Sequence, residues 1–201
     1  MINLCAKAID HVWFGTACSE EKVFATTFAF NEKNCLQNLL RGIPYNVPFQ
    51  HSEKATIFAE RVIDVLKDIY DGKEVSFGFS LAMDHLSAYT KKVIETVFLV
   101  PLGYVTSYGL VAKVAGGSPR AVGRVMASHP FPLVVPCHRV VRSDFKLGGY
   151  GGGYGGVDVK LEILRRESRG YASEREISVG DKKLLVFPVE FVLKRLGKGK
   201  C

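Results

Sequence analysis

The chain has 201 residues, 47% hydrophobic and 23% charged, a balance that fits a globular protein and excludes a disordered or fibrous one. There is no run of about 18 apolar residues, and Met1 to Asp10 lacks the basic stretch and apolar core of a secretion signal, so no membrane span and a cytoplasmic setting are expected. The net charge of +7 is uneven: residues 1–83 hold 8 basic and 10 acidic side chains, residues 84–167 hold 11 and 6, and residues 168–201 hold 8 and 4. Clustered Lys and Arg point to a polyanionic partner, with a solvated basic surface as the plainer alternative.

Residues 1–83 read as an α/β unit. Val12 to Cys18 and Lys22 to Phe30 are β-rich runs joined by Ser19-Glu20-Glu21 as a hairpin, and a polar loop with Pro44 and Pro48 follows. Phe58, Val62, Val65, Leu66 and Ile69 recur at helical spacing up to Asp71-Gly72, and Val75, Phe77 and Phe79 alternate as a short strand. The five cysteines form no CxxC pair, and their odd number argues against a disulfide framework. Cys5, Cys18 and Cys35 with His11 or His51 could build a zinc site, although the spacing matches no zinc pattern.

Residues 84–167 read as mainly helical. A helix starting near Ser87 carries the stripe Leu86, Tyr89, Val93, Val97 and Val100, and stops before Pro101. Tyr108 to Ala115 predicts a second helix. Gly116-Gly117 breaks it, and Ser118-Pro119 opens a third as N-cap and first helical residue. Helix, glycine turn and helix make a helix-turn-helix, or an ordinary helical hairpin. The third helix carries Arg120 and Arg124 among small Ala121, Gly123 and Ala127, a composition that allows close approach to a groove.

The string Pro136-Cys137-His138-Arg139-Val140 follows, with Val134 and Val135 before it, and reads as a thiol presented at the end of an apolar strand. Thiolate chemistry needs a neighbouring base, which His138 can supply if a third group orients its ring. Glu167, at the inward face of a helix also carrying Lys160, is the candidate. Between them Leu147 to Gly156 reads LGGYGGGYGG, a backbone able to come close to a flat ligand. Residues 168–201 form a basic extension with a hairpin signal at Gly180-Asp181.

Over roughly residues 86–167 this set of motifs resembles the O6-alkylguanine-DNA alkyltransferases. The resemblance implies an α/β amino-terminal domain joined to a mainly α domain with the helix-turn-helix and a cysteine turn. It implies a relay of Cys137, His138, a bridging water and Glu167, and irreversible transfer of an alkyl group from guanine O6 to the cysteine sulfur. Tyr108 matches the tyrosine that assists the departing guanine, and Arg120 the arginine that fills the gap left by a flipped nucleotide. Ser118, Ala121, Gly123, Arg124 and Ala127 complete the implied DNA face. Pro136, Val140, Tyr150, Tyr154, Gly155 and Gly156 belong to the implied base pocket, with carbonyls of Cys137 and Val140 reading the guanine amino group. Lys160 and His129 act as braces.

His129 stands where the family usually has asparagine, so the brace is expected to respond to pH. Tyr154 stands where a serine is common, and Tyr150 can instead match the family's tyrosine. The implied partner is double-stranded DNA containing O6-alkylguanine. A monomer without cofactor is expected, although some relatives carry a structural zinc. A cysteine hydrolase would use the same Cys, His and Glu but leave the helix-turn-helix unexplained. A lesion-sensing DNA binder would leave the thiol idle.

Overall fold

The structure, a computed structural model, describes residues 1–51, 55–150 and 156–197. Strands β1 (Ile2–Ile9), β2 (Val12–Cys18) and β3 (Lys22–Ala29) form an antiparallel meander. Asp10 and His11 make the first turn with φ of 49° and 66°, the left-handed pair that a two-residue hairpin requires. Helix α1 (Glu32–Gly42) is capped by Asn31, which accepts from Asn34 N at 2.8 Å. Strand β4 (Phe49–His51) pairs parallel to β1, and helix α2 (Ile57–Tyr70) follows with Thr56 as its cap. Strand β5 (Ser80–Leu81) closes the order β4-β1-β2-β3-β5.

The strands alternate as their pleat demands. Phe14 and Phe28 meet Val62, Ile63 and Leu66 of α2, whereas Ala17 and Ala25 meet Leu39 of α1. The sheet is therefore covered on both faces. β1 and α1 were not apparent in the sequence, and α1 occupies part of the expected polar loop. Its only fully buried positions are Cys35 and Leu39, too few to stand out as a stripe. The strand expected at Val75–Phe79 is absent as well. Phe77 and Phe79 stack at 4.5 Å and Phe77 meets Phe98 edge-on, so an aromatic cluster rather than a ladder accounts for the alternation.

Helix α3 (Ala88–Phe98) starts at the Ser87 cap. Strand β6 (Tyr104–Ser107) runs directly into α4 (Tyr108–Ala115), with Ser107 Oγ accepting from Leu110 N. Gly117 has φ of 81°, and a Cβ there would lie 2.6 Å from the Tyr89 hydroxyl, which itself donates to Gly116 O. This turn needs glycine for both reasons. Ser118 then caps α5 (Pro119–Ser128) by accepting from Ala121 N at 3.3 Å.

Strand β7 (Val140–Val141) pairs parallel to β6, and helix α6 spans Gly156–Glu167. The chain continues as hairpin β8 (Arg175–Val179) and β9 (Lys182–Pro188), then helix α7 (Val189–Gly197). β9 pairs with β6, giving a second sheet of order β7-β6-β9-β8. Val189 and Val192 of α7 pack with Val105, Val141 and Leu164, while Leu184 and Val186 pack with Val100, Tyr104 and Val114. The first sheet is tied to the segment that follows α5 where Thr26 N donates to Pro130 O at 2.9 Å and Thr26 Oγ1 to Pro132 O at 2.8 Å. Among the described residues no helix is long and apolar enough to cross a membrane.

Leu184 is fully buried between the hairpin and α4. Leu184→Ala is expected to cost about 3 kcal/mol within a single unfolding transition, checked by urea denaturation followed by both fluorescence and circular dichroism.

Candidate active site

Prolines at 130, 132 and 136 remove three amide donors from the approach to the cysteine, so a long ladder cannot form there. The chain instead makes a tight turn, with Val135 N donating to Phe131 O at 2.8 Å and Leu133 at φ of 70°. Cys137–Arg139 is a single 3-10 turn, with Cys137 N donating to Val135 O and Arg139 N to Pro136 O. The expected apolar strand before the cysteine is thus a turn, and the paired segment β7 comes after it.

Under this turn lie three fully buried polar side chains: His138, Lys160 and Glu167. Glu167 Oε1 accepts from His138 Nε2 at 2.9 Å and from Arg139 Nη2 at 2.8 Å, and Oε2 accepts from Arg139 Nε at 2.9 Å. Arg139 Nη1 donates to Val100 O at 2.6 Å, at the end of α3. Burial by itself would raise the Glu167 pKa, but the hydrogen bonds of His138 and Arg139 and the Arg139 charge outweigh it and hold it at about 2. Burial lowers the His138 pKa despite Glu167, so the ring is neutral. A carboxylate can only accept, which places the imidazole proton on Nε2 and the lone pair on Nδ1. That Nδ1 is buried with no hydrogen-bond partner among the described residues.

Lys160 enters from the same helix as Glu167, two turns earlier. Its Nζ donates to Val140 O at 2.7 Å and Gly149 O at 3.4 Å, and lies 5.9 Å from the ring centres of Tyr108 and Tyr150. Burial lowers its pKa to about 8. Burial pushes the Cys137 thiol up to about 11, although the Lys160 charge and a hydrogen bond from Tyr150 pull the other way.

Cys137 forms the floor of a cleft of about 500 Å³ walled by Tyr108, Tyr150, Gly148 and, from α5, Gly123, Met126 and Ala127. Gly148 has φ of 70°, and a Cβ there would meet the Tyr108 ring at 3.2 Å. Burial raises the Tyr108 phenol pKa, so it stays protonated and able to donate. Val122 and Val125 anchor α5, leaving Arg120, Arg124 and Ala127 exposed beside the cleft mouth. Ser118 serves α5 as its cap. Pro136 and Val140 are buried behind the thiol, and Gly156 opens α6. Tyr154 and Gly155 lie outside the described residues.

Two charged residues at the site were given no role in the sequence analysis. Arg139 is the ion partner of Glu167, and Arg142 lines the cleft mouth. Arg139 carried a signal: it follows a string of apolar residues and proline, where a charge demands a buried partner. Arg142 carried none.

His129 is buried, and its Nδ1 accepts from Phe131 N at 3.2 Å, an Asx-like contact that an asparagine oxygen could also make. Burial lowers its pKa to about 4, so the ring stays neutral through the physiological range. Cys5, Cys18 and Cys35 are buried thiols, with burial pushing Cys18 to about 11 and Cys35 to about 12. Among the described residues no group of three or more His, Cys, Asp or Glu side chains is arranged to hold a metal ion.

A family model described as the DNA binding domain of 6-O-methylguanine DNA methyltransferase matches residues 88–169. A methylated-DNA–protein-cysteine methyltransferase of Methanothermobacter thermautotrophicus is 36% identical over 130 residues, covering 64% of this chain and 70% of that protein. One from Thermococcus kodakarensis is 34% identical over 161 residues, covering 76% and 88%. The crystal structure of the O6-methylguanine-DNA methyltransferase of Pyrococcus kodakaraensis superposes with a TM-score of 0.59 at 32% identity, covering 83% of this chain and 99% of that one.

His129 predicts an acid sensitivity. Its folded pKa lies below its unfolded value of 6.5, so its contribution is intact above pH 6.5 and is lost as pH falls towards 4. The loss is about 2 kcal/mol at pH 5. His129→Asn should flatten stability between pH 7 and pH 5, measured by denaturant titration at each pH.

Proposed function

Since the chain belongs to the methylated-DNA–protein-cysteine methyltransferase family, we propose that it repairs DNA by moving an alkyl group from guanine O6 to the sulfur of Cys137. The observation that carries this reading is one arrangement: a thiol at the floor of a cleft beside α5, backed by a buried His138–Glu167 pair that Arg139 clasps. It acts on double-stranded DNA containing O6-alkylguanine, as a monomer in the cytoplasm.

A thiol with a pKa of about 11 is ionised in roughly one molecule in ten thousand at pH 7, so spontaneous thiolate formation is a poor route. The arrangement favours proton removal coupled to attack. Glu167 keeps the His138 proton on Nε2, leaving Nδ1 to take the Cys137 proton through a bridging water. The sulfur then attacks the alkyl carbon, the carbon–O6 bond breaks, and its electron pair returns to the guanine ring. The Tyr108 phenol donates a hydrogen bond or proton to a ring nitrogen, neutralising the leaving base. The product is a thioether, and no neighbouring group among the described residues can reverse it, so each molecule acts once.

In a duplex the alkylated oxygen is stacked and out of reach of a thiol at the bottom of a cleft, so the nucleotide must be flipped out. Small Ala121, Gly123 and Ala127 let α5 approach the groove. Arg120 fills the vacated stack and Arg124 meets the backbone. Carbonyls of Cys137 and Val140 read the guanine amino group, and Lys160 holds Val140 O in place. His129 braces the end of α5 against the cysteine turn.

The direct test is intact-protein mass after mixing with a duplex containing one O6-methylguanine. The expected gain is one CH2 per chain, mapped to Cys137 and saturating at one. No gain by a chain that still binds the duplex would leave a lesion-sensing binder, and repeated turnover a hydrolase. Cys137→Ala should abolish the gain while keeping duplex binding. Arg120→Ala should slow transfer from the duplex by at least about tenfold, but hardly affect transfer from the free modified base; equal losses on both would remove its flipping role.

A further inference from the structure

The carboxyl-terminal module β8–β9–α7 lies beyond residues 88–169, the part matched by the family model, and contributes no side chain to the cleft. It is nonetheless attached to two segments that carry side chains of the site, one leading into Tyr108 and one following Glu167. On one side β9 pairs with β6, the strand that runs directly into Tyr108. Thr106 Oγ1 donates to Leu185 O at 3.0 Å, and Val189 N donates to Gly103 O at 2.9 Å. On the other side is Glu190, in the first turn of α7. Its Oε1 accepts from Ser168 Oγ at 2.7 Å, Arg169 N at 3.0 Å and Gly170 N at 2.5 Å. Those are the residues immediately following Glu167.

α6 stops at Glu167, the helical ladder ends where Ser168 N donates to Arg165 O at 3.2 Å, and the next two amides turn to Glu190 instead. Glu190 supplies one acceptor to three successive donors there. Arg169 and Arg166 reach the other way, to Gly72 O and Tyr70 O at the end of α2. The Glu167 carboxylate is pinned by His138 and Arg139, and its backbone by contacts made just after it.

We propose that residues 168–197 are a positioning module for the alkyl-transfer site, with Glu190 as the residue that fixes the backbone carrying Glu167. This rests on the transferase reading. A carboxylate shared between an imidazole and an arginine fork tolerates little displacement, because a shift towards one partner lengthens the hydrogen bond to the other. An error of about 1 Å in such supporting geometry can cost up to about a hundredfold in rate. β9 acts in parallel on Tyr108 through the register of β6.

The test is single-turnover transfer to the full chain from O6-methylguanine, both in a duplex and as the free base, across pH and well below the melting temperature. Glu190→Ala should slow both reactions about tenfold and displace the rising limb of the pH profile to lower pH, because a loosened Glu167 no longer holds the His138 pKa up and leaves it a poorer base. Binding of unmodified duplex should stay unchanged. Glu190→Gln, which keeps an acceptor oxygen for the amides, should recover to within about threefold of wild type. A Glu190→Ala chain with a lower melting temperature but wild-type rate and pH profile would overturn the proposal. If that variant does not fold, Ser168→Ala removes one donor only. It should move rate and pH profile in the same direction by about twofold to threefold, and no movement would equally overturn the proposal. A wild-type chain that transfers nothing would instead sink the transferase reading, and this proposal with it.

Discussion

A fully buried carboxylate is expensive unless every lone pair is used, and Glu167 sets the terms for the rest of the carboxyl-terminal half. It is held by one neutral imidazole and one guanidinium fork, and the same guanidinium reaches Val100 O, just past the end of α3. Three segments therefore converge on one charge: the end of α3, the Cys137–Arg139 turn and the end of α6. Removing one partner of such a buried pair typically costs about 3–5 kcal/mol, because the other charge is left uncompensated. The arrangement is less a source of stability than a device that specifies where the turn sits.

Lys160 answers Glu167 from the same helix. The two lie two helical turns apart and share a face, so α6 places a cation under the Val140 and Gly149 carbonyls and an anion under His138. The Lys160 charge also reaches the thiol and pulls its pKa down. Burial still dominates at Cys137, keeping it protonated and inert towards stray electrophiles until its proton has a specific acceptor. Burial sets the neighbouring groups as well: Tyr108 keeps its proton and His138 stays neutral.

The amino-terminal sheet takes no direct part in this chemistry, but it fixes the approach to it. Thr26 of β3 ties down Pro130 and Pro132, and His129 caps the same stretch from the α5 side. A proline-rich segment cannot hold itself with its own amides, so it borrows partners from the neighbouring sheet. α5 and the cysteine turn are consequently set against a common support.

The sequence by itself determined the local elements and the chemistry. Glycines at 116 and 117, the Ser118-Pro119 start, and the caps at Ser87 and Ser118 are short-range signals, and they delimit α3, α4 and α5. The Pro-Cys-His-Arg string with Glu167 pointed to the thiol at the cleft floor and to the carboxylate that meets His138, because those residue types have few other uses together. Other features were invisible for physical reasons. α1 buries too few apolar residues to show a period, and Val75–Phe79 alternates for an aromatic cluster. The turn before Cys137 looks like a strand because valines dominate it. Only the tertiary structure decided that Arg139 shares Glu167 with His138, that burial keeps His129 neutral, and that β9 extends the sheet beside the cleft. Each of these depends on what one segment finds opposite it at long range. Burial and partnership are properties of that meeting, and no local pattern encodes them.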